Sequence, residues 1–134
     1  MRKTKITCGT DIIEISRIKQ NIQDEQTGKK FIEKVYTPFE IKYCESKKVQ
    51  KYQHYAARFA AKEACLKAIS GMLPSKFDIS WQDIEVINDE QGKPRLKLYG
   101  IDTKKIESMD ISLSHCKEYA IANVTILWRN YEIF

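Results

Sequence analysis

The stretch YAARFAAKEACLKAI, residues 55–69, constrains the fold more than any other part of the chain. It holds six alanines and no Gly or Pro, and Gly71 follows where a left-handed cap would sit. These features predict a helix from about His54 to Ser70, with earlier turns left open. Phe59, Leu66, Ile69 and the alanines occupy nearly every side of it, so little of its surface is made for water. A chain of 134 residues makes one domain, 1–134, around one core, and this helix belongs inside it. Yet the helix carries Arg58, Lys62, Glu63 and Lys67. At about 100° per residue, Glu63 falls beside Phe59, Ala56 and Ala60, with Lys67 one turn further on. A carboxylate there is costly to desolvate unless a cation meets it. Two readings are open: a Glu63–Lys67 ion pair at i,i+4 spacing, or a metal ligand beside a phosphate-binding lysine.

Around this helix the chain divides into helices first and strands second. In KITCGTDIIEI, Ile6, Cys8, Thr10 and Ile12 alternate with Thr7, Gly9, Asp11 and Ile13, predicting a strand buried on both faces near its end. Asp11 then lies inside that strand, on the side of Gly9. Ser16 is placed to cap a short helix over SRIKQNI, and GKKFIEKVY continues helically after Gly28. Thr37, Pro38 and Glu40 spell a capping box for the helix in TPFEIKYCES. DIEVIND and PRLKLYG alternate around Gly92 as a hairpin, DTKKIES reads as a short helix, and DISLSH and YAIANVTILW read as a second antiparallel pair. The expected class is α+β, with helices packed on an antiparallel sheet.

Charge and composition narrow the function. No run approaches the roughly 18 apolar residues of a membrane span, and MRKTKITCGTD lacks a signal peptide's apolar stretch, so the expected location is cytoplasmic with no membrane partner. Cys8, Cys44, Cys65 and Cys116 are scattered and form no zinc pattern with His54 and His115. A net charge of +5 favours an anionic partner. Base-stacking arrays and arginine-rich runs are missing, which disfavours nucleic acid.

The chemistry collects at Asp11 and Glu63, the two carboxylates in apolar settings, and at the cations Arg58, Lys62, Lys67 and His115. Taken singly, Asp11 is also explained as a turn cap and His115 as a satisfied, partly buried histidine. Together they suit one task. Two carboxylates with open coordination sites hold Mg²⁺ loosely, because it keeps several waters and takes its other oxygens from substrate phosphates. Lysine, arginine and histidine then neutralise the remaining phosphate oxygens.

GTDIIEISRI, RFAAKEACLKAI, WQDIEVINDEQGKPRL and ISLSHCKEYAIA, in that order and spacing, resemble the motifs of the holo-acyl-carrier-protein synthases, the small bacterial 4′-phosphopantetheinyl transferases. The resemblance implies that family's fold and its reaction. A serine of an apo acyl carrier protein attacks the β-phosphate of the substrate coenzyme A, phosphopantetheine is transferred, and 3′,5′-ADP leaves, in support of fatty acid biosynthesis. It also implies Asp11 and Glu63 as Mg²⁺ ligands and Glu63 and Lys67 as the catalytic pair, with Lys67 on the pyrophosphate. Glu63 takes the serine proton directly or through a metal-bound water, the second ranked first. Arg58, Lys62, Lys67, Ser114, His115 and Cys116 are implied to bind coenzyme A. Pro94, in the GKPR turn, would lie against adenine from the neighbouring subunit of a homotrimer with shared active sites. Arg17, Lys30 and Phe31 would dock the carrier protein. Cys116 stands where threonine is usual and Ala57 where glycine is usual, and the tail LWRNYEIF runs past the family's common end. Two other readings stand beside this one: a transferase for a specialised polyketide or peptide carrier, and a non-catalytic module binding an acidic protein or RNA through SRIKQ and GKKFIEK.

Overall fold

The computed structural model describes residues 4–72 and 79–129, so the tail 130–134 and most of the loop after Gly71 lie outside the described residues. The chain runs β1 (Thr4–Glu14), α1 (Ile15–Gln23), α2 (Gly28–Val35), α3 (Pro38–Glu45), α4 (Lys51–Ile69), β2 (Ile84–Asn88), β3 (Pro94–Leu98), β4 (Ile106–His115) and β5 (Tyr119–Arg129). The strands form an antiparallel sheet of order β1-β5-β4 and a separate β2-β3 hairpin. This is the α+β arrangement expected, with α4 laid across one face of the larger sheet.

Small residues make that packing possible. Ala56, Ala57, Ala60, Ala61, Ala64 and Ala68 are all buried, so the α4 backbone rides close to the strands. The closest approach is at Gly9 of β1. A Cβ there would stand 2.0 Å from the Ala64 carbonyl oxygen and 2.9 Å from the Ala68 nitrogen. Beneath the helix, Ile111, Ala122, Val124, Ile126 and Trp128 complete the core. No described helix is long and apolar enough to cross a membrane.

The start of α3 and the turn after α4 follow local chemistry. Thr37 and Glu40 close the expected capping box and Pro38 opens α3. Beyond α4, Gly71 adopts φ +81°, the left-handed conformation that glycine takes without a Cβ penalty. Ser16, in contrast, is not a cap. Its helix starts one residue earlier with Glu14 at the N-cap position, and the Ile15 N–H is satisfied by the Glu118 carbonyl of the β4–β5 turn at 2.9 Å.

Two further expectations fail. The segment 102–105 is not helical; it turns directly into β4, whose first residue pairs with Trp128 across a bulge between Ile106 and Ser108. Nor is β1 buried on both faces near its end. Gly9 and Ile13 face α4, but Ile6 and Ile12 are 67% and 61% exposed, joined on the outer sheet face by Tyr119 and Ile121. The helices cover one face only, and period-two alternation sends every second residue to the other.

Replacing Gly9 by Ala is expected to destabilise the fold by about 3 kcal/mol or more, since the new methyl meets backbone that no rotamer change can move aside. Thermal or urea unfolding measures this, and a loss below about 1 kcal/mol would show that α4 can retreat cheaply.

Candidate active site

The Gly9 contact determines what stands next to Asp11. Both residues lie on the helix-facing side of β1, and two residues beyond the close approach the Asp11 carboxylate meets Lys67. The Lys67 Nζ is 3.3 Å from Asp11 Oδ1 and donates to the Thr10 carbonyl at 2.9 Å. Glu63 sits one turn before Lys67 and makes no hydrogen bond or ion pair with any described residue. The i,i+4 ion pair is therefore not formed, because the lysine reaches across to the strand. Burial pushes the Glu63 carboxyl above the usual range, the nearby Asp11 charge pushes it further, and Lys67 opposes both. Two carboxylates thus share one ammonium at a half-exposed edge.

That donor set suits a hard divalent cation. Among the described residues no cluster of three or more His, Cys, Asp or Glu side chains is placed to hold a metal, so these residues offer the two carboxylates of Asp11 and Glu63 here. Mg²⁺ accepts so few, since water and substrate oxygens fill its other positions, and its charge would relieve the repulsion that raises Glu63.

Arg58 and His115 collect elsewhere. Arg58 lies about 140° around α4 from Glu63, on the side facing the hairpin. It is 2% exposed, its Nη2 donates to Asn88 Oδ1 at 2.7 Å, and its guanidinium carbon lies 4.0 Å from the centre of the Tyr43 ring. The His54 ring stands edge-on to both Tyr43 (5.6 Å) and His115 (6.2 Å). Burial first, then the charges of Arg58, Lys47 and His115, bring His54 down to about 4, so it is neutral at physiological pH. Pro94 opens β3 directly opposite Asn88, so it stands at this end of the molecule too.

Three candidates are placed differently from their expected roles. Lys62 is no ligand-binding group: its side chain is fully buried, its Nζ pairs with Glu40 at 2.7 Å, and it donates to the Trp81 and Ile84 carbonyls. With three acceptors for three N–H donors, nothing is left for a phosphate. Ser114 pairs with Ile121 on the outer sheet face, whereas Asp11, Leu113 and His115 belong to the inner one, so it does not share their side within one chain. Cys116 follows β4, exposed, with its N–H bonded to the Tyr119 carbonyl.

Arg17 is exposed on α1, and Lys30 and Phe31 flank a shallow groove with Asn21, Thr27 and Lys34. The Phe31 ring stacks on Phe59 at 6.3 Å and Phe59 on Trp81 at 5.0 Å, an aromatic row whose middle ring lies one helical turn from Glu63. Tyr43, Asn88 and Trp81 were not singled out by sequence, and Glu40 and His54 were not read as parts of the site. Only Glu40 carried a signal, the capping box, which uses one carboxylate oxygen and leaves the other to the Val86 N–H.

The model of the 4′-phosphopantetheinyl transferase superfamily matches residues 7–124. The chain is 47% identical over 123 residues to a holo-[acyl-carrier-protein] synthase of Ruminiclostridium cellulolyticum, covering 88% of this chain and 89% of that one. It superposes on a crystal structure of a holo-(acyl-carrier-protein) synthase from Bacillus anthracis in complex with CoA (3′,5′-ADP), with a TM-score of 0.75 and 33% identity over 94% of this chain and 99% of that one. A Helicobacter pylori holo-[acyl-carrier-protein] synthase in complex with coenzyme A gives 0.74 and 31%, over 89% and 98%.

Because the native Glu63 carboxyl titrates above its unfolded value, its ionisation costs stability once pH exceeds that raised value. Glu63→Gln should therefore raise the melting temperature at about pH 7, in metal-free buffer, and the gain should fade as pH falls through the carboxyl range, where the native carboxyl protonates first. A pH-independent difference between the two melting curves would contradict this placement of Glu63.

Proposed function

The chain belongs to the 4′-phosphopantetheinyl transferase superfamily, and from that premise we propose that it transfers the phosphopantetheine of coenzyme A to a serine of an apo acyl carrier protein with Mg²⁺ held by Asp11 and Glu63. The observation that carries this reading is the pair of neighbouring carboxylates, Asp11 bonded to Lys67 and Glu63 with no bonded partner among the described residues.

In the proposed reaction the serine oxygen forms a bond to the β-phosphorus as the bridging P–O bond to the α-phosphate breaks, and 3′,5′-ADP departs. Positioning and charge neutralisation supply most of the catalysis in such a transfer. Mg²⁺, when bound, draws charge from the diphosphate oxygens and acts as a Lewis acid. Lys67 is anchored through two of its three N–H donors, which leaves the third for a β-phosphate oxygen. Glu63 accepts the serine proton through a water. Arg17, Lys30 and Phe31 lie on α1 and α2, one aromatic row from Glu63, and form the docking surface we assign to an acidic carrier.

The protein in this reading acts as a homotrimer. Within one chain, Glu63 and Lys67 face away from Arg58, so a coenzyme touching both ends needs a second copy. The exposed apolar row Ile6, Ile12, Ile121 and Tyr119 on the open sheet face supports self-association.

Incubation with coenzyme A, Mg²⁺ and an apo carrier protein should add one phosphopantetheine group to the carrier, read by mass spectrometry. Asp11→Asn should lower the rate by at least about 100-fold while remaining folded. Parental turnover by that variant at saturating Mg²⁺ would refute the assigned site.

Light scattering should give three times the 15.7 kDa chain mass. Ile121→Arg, on the outer face, should lower mass and activity together, and a fully active monomer would overturn the shared site.

A further inference from the structure

A guanidinium on the surface takes its counter-charge and hydrogen bonds from water, but Arg58 is 2% exposed. It has no carboxylate partner among the described residues. Its Nη2 has the Asn88 oxygen, and its buried Nε has no acceptor. Lys62, one turn along, shows what full satisfaction looks like in the same core, with three acceptors for three donors. What Arg58 has is an aromatic seat, the Tyr43 face at 4.0 Å. The same ring receives Lys47 at 4.8 Å and the edge of His54, which carries on to His115. No hydrogen bond fixes this arrangement through Tyr43, whose hydroxyl bonds to no described residue. Beside the Asn88 hydrogen bond, the ring face is what holds the guanidinium.

We infer that Tyr43 and His54 are positioning residues, a continuous aromatic support that presets Arg58 and His115 for a phosphate of the nucleotide end of coenzyme A. The inference rests on the proposed function above. A flat ring holds the guanidinium plane without cancelling its charge, which a carboxylate would do, so the buried cation stays available to an incoming anion. The neutral imidazole of His54 fixes the distance between Tyr43 and His115 without adding a repelling charge.

Steady-state kinetics test this. Tyr43→Leu and His54→Ala should each raise the KM for coenzyme A about tenfold, leaving kcat and the KM for the carrier within about twofold. Tyr43→Phe and His54→Phe, which keep the rings, should behave as the parent. Tyr43→Leu added to Arg58→Lys should cost less than the sum of the two single effects, since part of the ring's effect passes through the guanidinium. A purely structural role would lower the melting temperature of the Leu and Ala variants without singling out coenzyme A. If Arg58→Lys raises the coenzyme A KM but folded Tyr43→Leu and His54→Ala do not, this inference falls alone. If Arg58→Lys leaves that KM unchanged, the assignment of Arg58 to coenzyme A falls with it.

Discussion

A missing methyl group at position 9 holds the architecture together. The Ala64 carbonyl of α4 occupies the place where any other residue on β1 would carry its Cβ. That contact sets the depth of the helix on the sheet, and the six alanines let the rest of the helix follow. Depth then sets reach: Lys67 crosses to Asp11 and Thr10 because the strand is that close, and Glu63 is left without a partner beside it.

The opposite side of α4 solves a different problem. Lys62 and Glu40 are both fully buried, a costly pairing unless every donor and acceptor is met. Here each is. Glu40 takes the Thr37 N–H, the Val86 N–H and the lysine, and Lys62 adds two carbonyls around the start of β2. Glu85 joins through the Thr37 and Tyr99 hydroxyls. This network clamps the hairpin onto α3 and α4, and so delivers Asn88 to Arg58. The two cations on this side are thus unlike: one is consumed by the clamp, the other held open by it.

What could be read from sequence was whatever the chain decides locally. The Thr37 capping box, the alanine helix and the alternation of β4 and β5 all have their causes within a few residues, and all appear as expected. Asp11 and Glu63 were legible because a charge in an apolar pattern needs a reason. The failures share a non-local cause. Ser16 lies inside a helix whose first N–H goes to Glu118, about a hundred residues away, and Lys62 was drawn into the core by Glu40 and by carbonyls near β2. Nothing near Ser114 says which sheet face is covered, so its placement waited on the helix layer. Tyr43 and His54 meet across a turn that neither residue announces.

The pairing of β1 with β5 also governs when the protein comes into being. Eleven residue pairs join the first strand to the last, from Thr4 opposite Arg129 to Glu14 opposite Tyr119. During synthesis the amino-terminal strand has no neighbour to hydrogen-bond until residues 119–129 have left the ribosome. Through that interval it is an open edge, carrying apolar Ile6 and Ile12. Contacts so distant in sequence form slowly, after the local helices. Asp11 therefore takes its place in the sheet beside Glu63 only once residues 119–129 have been made.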